Sequence, residues 1–278
     1  MNDPDDIAED AAEEVTRNPV MRVLARAGFV ANGVVHGLMG AIALTIAFGE
    51  SSGSSDQRGA LKVVAEAPFG FAALWIAAIA LCGLAAWSLF DGILTYGGRD
   101  ATAQAKKWGR RLGAWILAIV YASLGVLAAV VAVGARGSGE SSAESASRGV
   151  LGLPGGPILL GLGGLVIAGV GVGFGVIGVR GGFRKRLKMP GGATGTTVMM
   201  LGVVGYCAKG AALLVVGILL VVAAITVDPD AAGSIDGALQ ALRDRRFGPL
   251  AVAVVGVGLI AYGLFLMLRG KYARLSTA

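Results

Sequence analysis

At 278 residues, 55% apolar and only 15% charged, with 46 glycines and a mean hydropathy of +0.73, the chain falls outside the soluble globular and the disordered classes. Its net charge of +6 and pI near 9.6 call for no nucleic-acid partner, because a membrane protein that keeps Lys and Arg on one side acquires that balance as a matter of course. One histidine and two cysteines leave little to build a metal site, a haem site or a disulfide framework, so no cofactor is expected.

The first fourteen residues carry seven acids and no base, the reverse of a signal-peptide n-region, so the first span is expected to remain in the mature protein. Asp3 and Pro4 can cap a short helix running up to Asn18 and Pro19, or the segment stays a solvated tail. Apolar runs long enough to cross roughly 30 Å of hydrocarbon follow near 27–48, 71–90, 112–134, 158–179, 199–227 and 249–268. In lipid these must be helices, since an open strand would leave backbone groups unpaired.

Residues 26–40 (RAGFVANGVVHGLMG) recur without gaps as RLGAWILAIVYASLG at 111–125 and VVGYCAKGAALLVVG at 203–217. Gly28, Gly113 and Gly205 coincide, as do Gly40, Gly125 and Gly217. Each copy opens a two-span hairpin. An even number of spans sends every copy into the membrane in the same direction, so the fold class is all-α: six transmembrane helices as three parallel two-helix repeats about a quasi-threefold axis, unlike inverted-repeat transporters. The expected divisions are an acidic segment at 1–23, the first repeat at 24–98, a basic loop and the second repeat at 99–190, the third repeat at 191–270, and a tail at 271–278.

Sixteen Lys and Arg flank the N-terminal segment, the 91–111 and 180–198 loops and the tail; the other three loops share seven, among nine acids. Both termini are therefore expected in the cytoplasm of a cell-membrane protein, whose basic face attracts anionic lipid. Outer loops repeat as well. Gly59, Ala60, Leu61 and Pro68, Phe69, Gly70 in the first unit match Gly237, Ala238, Leu239 and Arg246, Phe247, Gly248 in the third. The intervening LKVVAEA and LQALRDR read as short interfacial helices, the first with Leu61, Val64 and Ala65 on one face. The middle unit keeps Arg148, Gly149 and Leu151 but replaces the rest with SGESSAESAS and PGGP, predicting a looser outer loop.

The succession R-x-G, an apolar helix with Gly twelve residues on, G-A-L, F-G, and a second apolar helix ending near Trp87 or Phe265 resembles an uncharacterised bacterial membrane family, domain-of-unknown-function family 1206, over residues 24–270. The resemblance implies six spans in three tandem domains and brings no substrate or reaction. The third copy departs from the pattern, with Val203 where Arg26 and Arg111 stand; the middle copy departs in its outer loop.

Gly33 and Gly37, and Gly171, Gly175 and Gly178, form stripes for close helix approach. Gly169, Gly171, Gly173 and Gly175 occupy two faces of the fourth span, which predicts that it is clasped on both sides. Residues 173–178, GFGVIG, match a dinucleotide fingerprint in form, but inside an apolar span they lack its strand and helix context, so packing is the better reading.

Within the spans the polar residues are Asn32, His36, Tyr121, Lys209 and, at a span end, Asp91. Asn32 and His36 share a helix face, and Lys209 occupies the repeat position of Asn32. If the odd-numbered spans line the axis, Asn32, His36 and Lys209 converge there, with His36 about 15 Å beyond Arg26 and able to accept or pass a proton. Equally, Lys209 can snorkel to the cytoplasmic interface and His36 can serve as a hydrogen bond between helices. Tyr121 reads as a packing ring, Asp91 as an interfacial residue near the basic 99–111 loop, and Cys82 and Cys207 as small buried hydrophobes.

No Ser/His/Asp arrangement, carboxylate pair or phosphate loop is visible, so no enzymatic activity is expected. The first expectation is a non-enzymatic membrane component binding lipid or a partner membrane protein. The alternative is a transporter or channel along the pseudo-threefold axis, a plan whose geometry alone is comparable to mitochondrial carriers.

Overall fold

The computed structural model of the chain describes Glu14 and residues 17–48, 57–94, 101–134, 146–228 and 248–275. The expected helix in the acidic N-terminal segment and the interfacial helix of the third unit fall outside these residues. Among the described residues seven helices of ten residues or more carry the fold: α1 (Pro19–Ala47), α2 (Gln57–Glu66), α3 (Gly70–Ile93), α4 (Ala101–Ala132), α5 (Gly156–Arg180), α6 (Gly192–Thr226) and α7 (Gly248–Tyr272). All but α2 are long and apolar enough to cross a membrane. Among the described residues the extended structure is a single bridge, Leu187 to Ala273.

Local chemistry places the helix ends. Asn18 caps α1, its Oδ1 accepting from the Val20 amide at 2.8 Å, and Pro19 supplies a first residue that needs no N–H partner. A left-handed Gly181 stops α5, and a 3₁₀ turn over Gly182–Arg186 follows it. The short helix α2 lies across α1, α3 and α4, burying Ala60 and Leu61. Val64 packs beside them but Ala65 is exposed, so the buried face is rotated by one residue from the expected one. Phe69 then adopts φ 63°, and α3 starts at Gly70. In the middle unit Gly155 takes φ 77° ahead of Gly156, and a Cβ on Gly156 would strike the Val150 carbonyl as one on Gly70 would strike that of Val64. The described part of the middle outer loop therefore repeats the first unit's turn and is not looser; residues 135–145 lie outside the description.

The order of packing defines the symmetry. The first span of each unit lies on the second span of the preceding one: α4 on α3, α6 on α5, and α1 on α7. Three interfaces of one kind in cyclic order close only about a common axis. The repeated glycines show that they are equivalent in detail. A Cβ on Gly40 would meet the Gly256 carbonyl at 2.5 Å, one on Gly217 the Gly164 carbonyl at 2.7 Å, and one on Gly125 the Ala78 carbonyl at 3.2 Å. Gly256, Gly164 and Ala78 each stand eight residues past the glycine that opens their helix.

Within units, α1 packs on α3 and α6 on α7; α4 and α5, the middle unit's two spans, are not a packed pair among the described residues. The expected double clasp of the fourth span is accordingly absent. Gly164, Gly171 and Gly178 press on α6, whereas a Cβ at Gly163, Gly169 or Gly173 would meet nothing within 4 Å. Glycine spacing reports which faces permit close approach, and a neighbour must still be there to use them.

The basic stretches meet at one end of the bundle. Lys188 N–H donates to the Tyr272 carbonyl at 2.8 Å, Arg274 N–H to Arg186 at 3.0 Å, and Arg22 Nε to Leu275 at 3.2 Å. Arg111 closes α3: its Nε donates to the Gly92 carbonyl at 3.1 Å and its Nη2 to Ile93 at 3.0 Å, between the rings of Trp108 and Trp115. A guanidinium on the last carbonyls complements the helix dipole, so Arg111→Leu is expected to cost about 1–2 kcal/mol, read as a lower unfolding midpoint in detergent.

Candidate functional site

The first spans carry the residues that break the symmetry of the repeats, and the packing of α1 and α6 on α7 brings theirs together. Gly33 and Gly263 bring α1 and α7 together: a Cβ on Gly33 would lie 2.6 Å from the Gly263 carbonyl, and one on Gly263 2.5 Å from that of Gly33. Gly205 does the same for α6, where a Cβ would lie 2.5 Å from Tyr262 Cα. With α1 and α6 both drawn onto α7, His36 and Lys209 meet in front of Tyr262.

Lys209 Nζ stands 2.9 Å from His36 Nε2, and His36 Nδ1 stands 2.9 Å from the Asn32 backbone oxygen. A carbonyl can only accept, so Nδ1 carries the ring proton and donates; Nε2 is then the lone-pair nitrogen and accepts from Lys209. The three sequence candidates do come together, though Asn32 contributes its carbonyl to the pair and its side-chain Oδ1 has no hydrogen-bond partner. Asn32, His36 and Lys209 are 4%, 3% and 9% exposed, so the lysine reaches inward to the histidine and does not snorkel to the interface. The Tyr262 ring stands edge-on to the imidazole with centroids 5.0 Å apart.

Toward the basic end the axis is filled by aromatic rings. Tyr206 contacts Tyr262 at 5.6 Å, Phe183 at 5.3 Å and Phe265 at 5.4 Å between centroids, while Phe174 of α5 stacks on Tyr206 at 5.4 Å. Tyr121 is buried with its ring T-shaped to Phe29 at 6.4 Å. The Arg269 guanidinium sits 4.4 Å over the Phe29 ring, within electrostatic reach of the Tyr121, Tyr206 and Tyr262 phenols and of Asp91. Asp91 in turn faces Arg186, Arg269 and Arg110, as a carboxylate at the basic end should.

Tyr206, Tyr262 and Arg269 were not among the sequence candidates. Tyr262 occupies the repeat position of Leu84 and Val170, so a polar group standing where the other copies are apolar is the signal that could have found it. Arg269 was hidden by its place in the last turn of α7, where it counts as flanking charge. Among the described residues no group of three or more His, Cys, Asp or Glu gathers to hold a metal.

A second feature lies in the middle unit. A Cβ on Gly28 would lie 2.5 Å from the Ala80 carbonyl and Leu84 Cβ, and one on Gly205 would strike Tyr262, whereas one on the equivalent Gly113 would meet nothing within 4 Å. The counterparts of Ala80 and Leu84 on α5 are Val166 and Val170, which are 63% and 38% exposed. Both surfaces of a helix–helix contact made in the outer two units are thus present in the middle one, and they do not touch.

These features define an all-helical, six-span membrane protein built of three two-helix units around a buried imidazole–amine pair. The chain belongs to the family described as Domain of Unknown Function (DUF1206), which matches it three times in tandem, at residues 27–95, 112–181 and 204–273. It is similar to the uncharacterized protein YxxB of Bacillus subtilis (strain 168), with 30% identity over 268 residues covering 93% of each chain. No solved structure matches it.

Proposed function

We propose that the protein is a non-enzymatic, multi-pass component of the cell membrane, with both termini cytoplasmic, that holds an anionic phospholipid between the two spans of its middle repeat. The observation that carries this reading is the unmet pair of faces in that repeat, Gly113 on α4 and Val166 with Val170 on α5. Inside a bilayer, apolar faces that do not meet are covered by acyl chains or by another helix. The charge at the mouth favours lipid. Lys107, Arg110 and Arg111 stand on α4 at the basic end, and Arg180, Arg184 and Lys185 at and beyond the end of α5, so a phosphate there has positive charge on both sides. The cytoplasmic assignment rests on the same basic end. Passage of a solute along the axis is the alternative, favoured by the His36–Lys209 pair; the apolar packing outward of that pair weighs against it.

Native mass spectrometry of the protein released from several mild detergents tests the reading. Retained anionic phospholipid is expected, and Gly113→Leu, whose Cβ meets nothing within 4 Å and whose side chain occupies the α4 face, is expected to reduce it. Bare protein in every detergent overturns the proposal, as does a polypeptide retained in place of lipid.

A further inference from the structure

We infer that His36 and Lys209 form a proton-binding site that exchanges with the basic end of the bundle and is closed to the opposite end. The ligand is a single proton. Loading adds it to the lone pair of the Lys209 amine, giving an ammonium; unloading removes it to water on the basic side, and no other bond changes.

Three features point to a site that titrates in place of a fixed ion pair. First, the partner of Lys209 is a neutral imidazole, and Nε2 can accept an N–H at 2.9 Å from a neutral amine as well as from an ammonium, the charged donor making the stronger bond. The contact survives in both states, which a carboxylate partner would not allow without leaving a bare buried anion. Second, the ring is held for that task, since Nδ1–H is fixed to the Asn32 carbonyl at 2.9 Å and Nε2 is thereby kept as the acceptor.

Third, the surroundings differ sharply in the two directions. Toward the basic end, Tyr262 stands against the imidazole, Tyr206 against Tyr262, and the Tyr121, Tyr206 and Tyr262 phenols within electrostatic reach of Arg269, which faces Asp91. Toward the opposite end, among the described residues, α1 buries Met39, Ile42, Ala43 and Ile46 and α7 buries Leu259 and Val252, all apolar, while the half-buried Thr45 hydroxyl donates to the Ile42 carbonyl of its own helix at 2.8 Å. The remaining buried polar side chains among the described residues are Ser88, near the basic end of α3, and Ser147, in the stretch before α5. Among the described residues the polar and titratable groups facing the axis are therefore Asn32 and His36 from α1, Tyr121 from α4, Tyr206 and Lys209 from α6, and Tyr262 and Arg269 from α7, with the exposed Asp91 of α3 in reach of Arg269; α5 presents Phe174.

The chain has one histidine, so 15N label in the imidazole reports His36 alone. The experiment is solid-state NMR of the full chain in right-side-out and inverted membrane vesicles with a buffered lumen, orientation being checked by thiol labelling of Lys185→Cys. Stepping the outer pH between about 6 and about 11, a range bracketing ordinary imidazole and ammonium groups, is expected to move the Nε2 resonance reversibly only when the basic end faces out. Lys209→Met is expected to shift that resonance and abolish the pH response. Tyr262→Phe keeps the ring and removes the hydroxyl, and is expected to slow the response about a hundredfold, the lower side of what a positioned proton-transfer group contributes. A resonance that never moves, one that answers the opposite side, or an unchanged rate in Tyr262→Phe overturns the inference.

Discussion

His36→Leu is expected to destabilise the protein by about 3–5 kcal/mol, and Lys209→Met by only about 1–3 kcal/mol. The asymmetry follows from what each variant leaves behind. Without His36, the Lys209 nitrogen has lost the acceptor at 2.9 Å and either stays unpaired in an apolar layer or draws back through the aromatic rings of Tyr206 and Tyr262. Without Lys209, the residue left is a neutral imidazole with one unused acceptor and its Asn32 hydrogen bond intact. The double variant is expected to cost at least about 1 kcal/mol less than the sum of the two, since neither member is left stranded. Unfolding of the four proteins in one detergent, followed by circular dichroism, checks the order. Equal costs, or strictly additive ones, would mean that the two side chains do not depend on each other.

The repeats were legible because periodicity survives in a single sequence: Gly40, Gly125 and Gly217 recur in register, and each sits against the same point of the preceding unit's second span. The polar candidates were legible for the opposite reason, as Asn32, His36 and Lys209 interrupt an otherwise apolar pattern. Whether Lys209 turned inward or snorkelled could not be read, because that choice depends on how near α1 and α6 come across α7, and Gly33 and Gly205 set that approach jointly with distant partners. Arg269 escaped notice because flanking charge and axial charge look alike at a helix end. The open middle unit was hidden most completely of all, for Gly113 keeps its place in the motif whether or not a helix lies against it.

That last point makes the glycines a direct measurement of the middle unit. Alanine at Gly28 or Gly205 is expected to cost about 1–3 kcal/mol, because the new methyl would sit 2.5 Å from the Ala80 carbonyl or from Tyr262 Cα, backbone that cannot rotate away. At Gly40, Gly125 and Gly217 the nearest atoms are 2.5, 2.8 and 2.5 Å from the added carbon, so all three units should suffer there, Gly125 least because it meets the sulfur of Cys82. Gly113→Ala stands apart. With nothing to strike, it gains the helix preference of alanine over glycine and should be neutral or stabilising by up to about 1 kcal/mol. The six single variants therefore divide five to one in a thermal-unfolding comparison if the middle unit is open to the bilayer. A loss at Gly113 equal to that at Gly28 would show α5 closed onto α4 as α3 is onto α1, leaving no space for a lipid between them. A small loss at Gly113, recovered when anionic phospholipid is withheld, would instead mark the occupant as lipid, since a methyl can crowd an acyl chain only where one is bound.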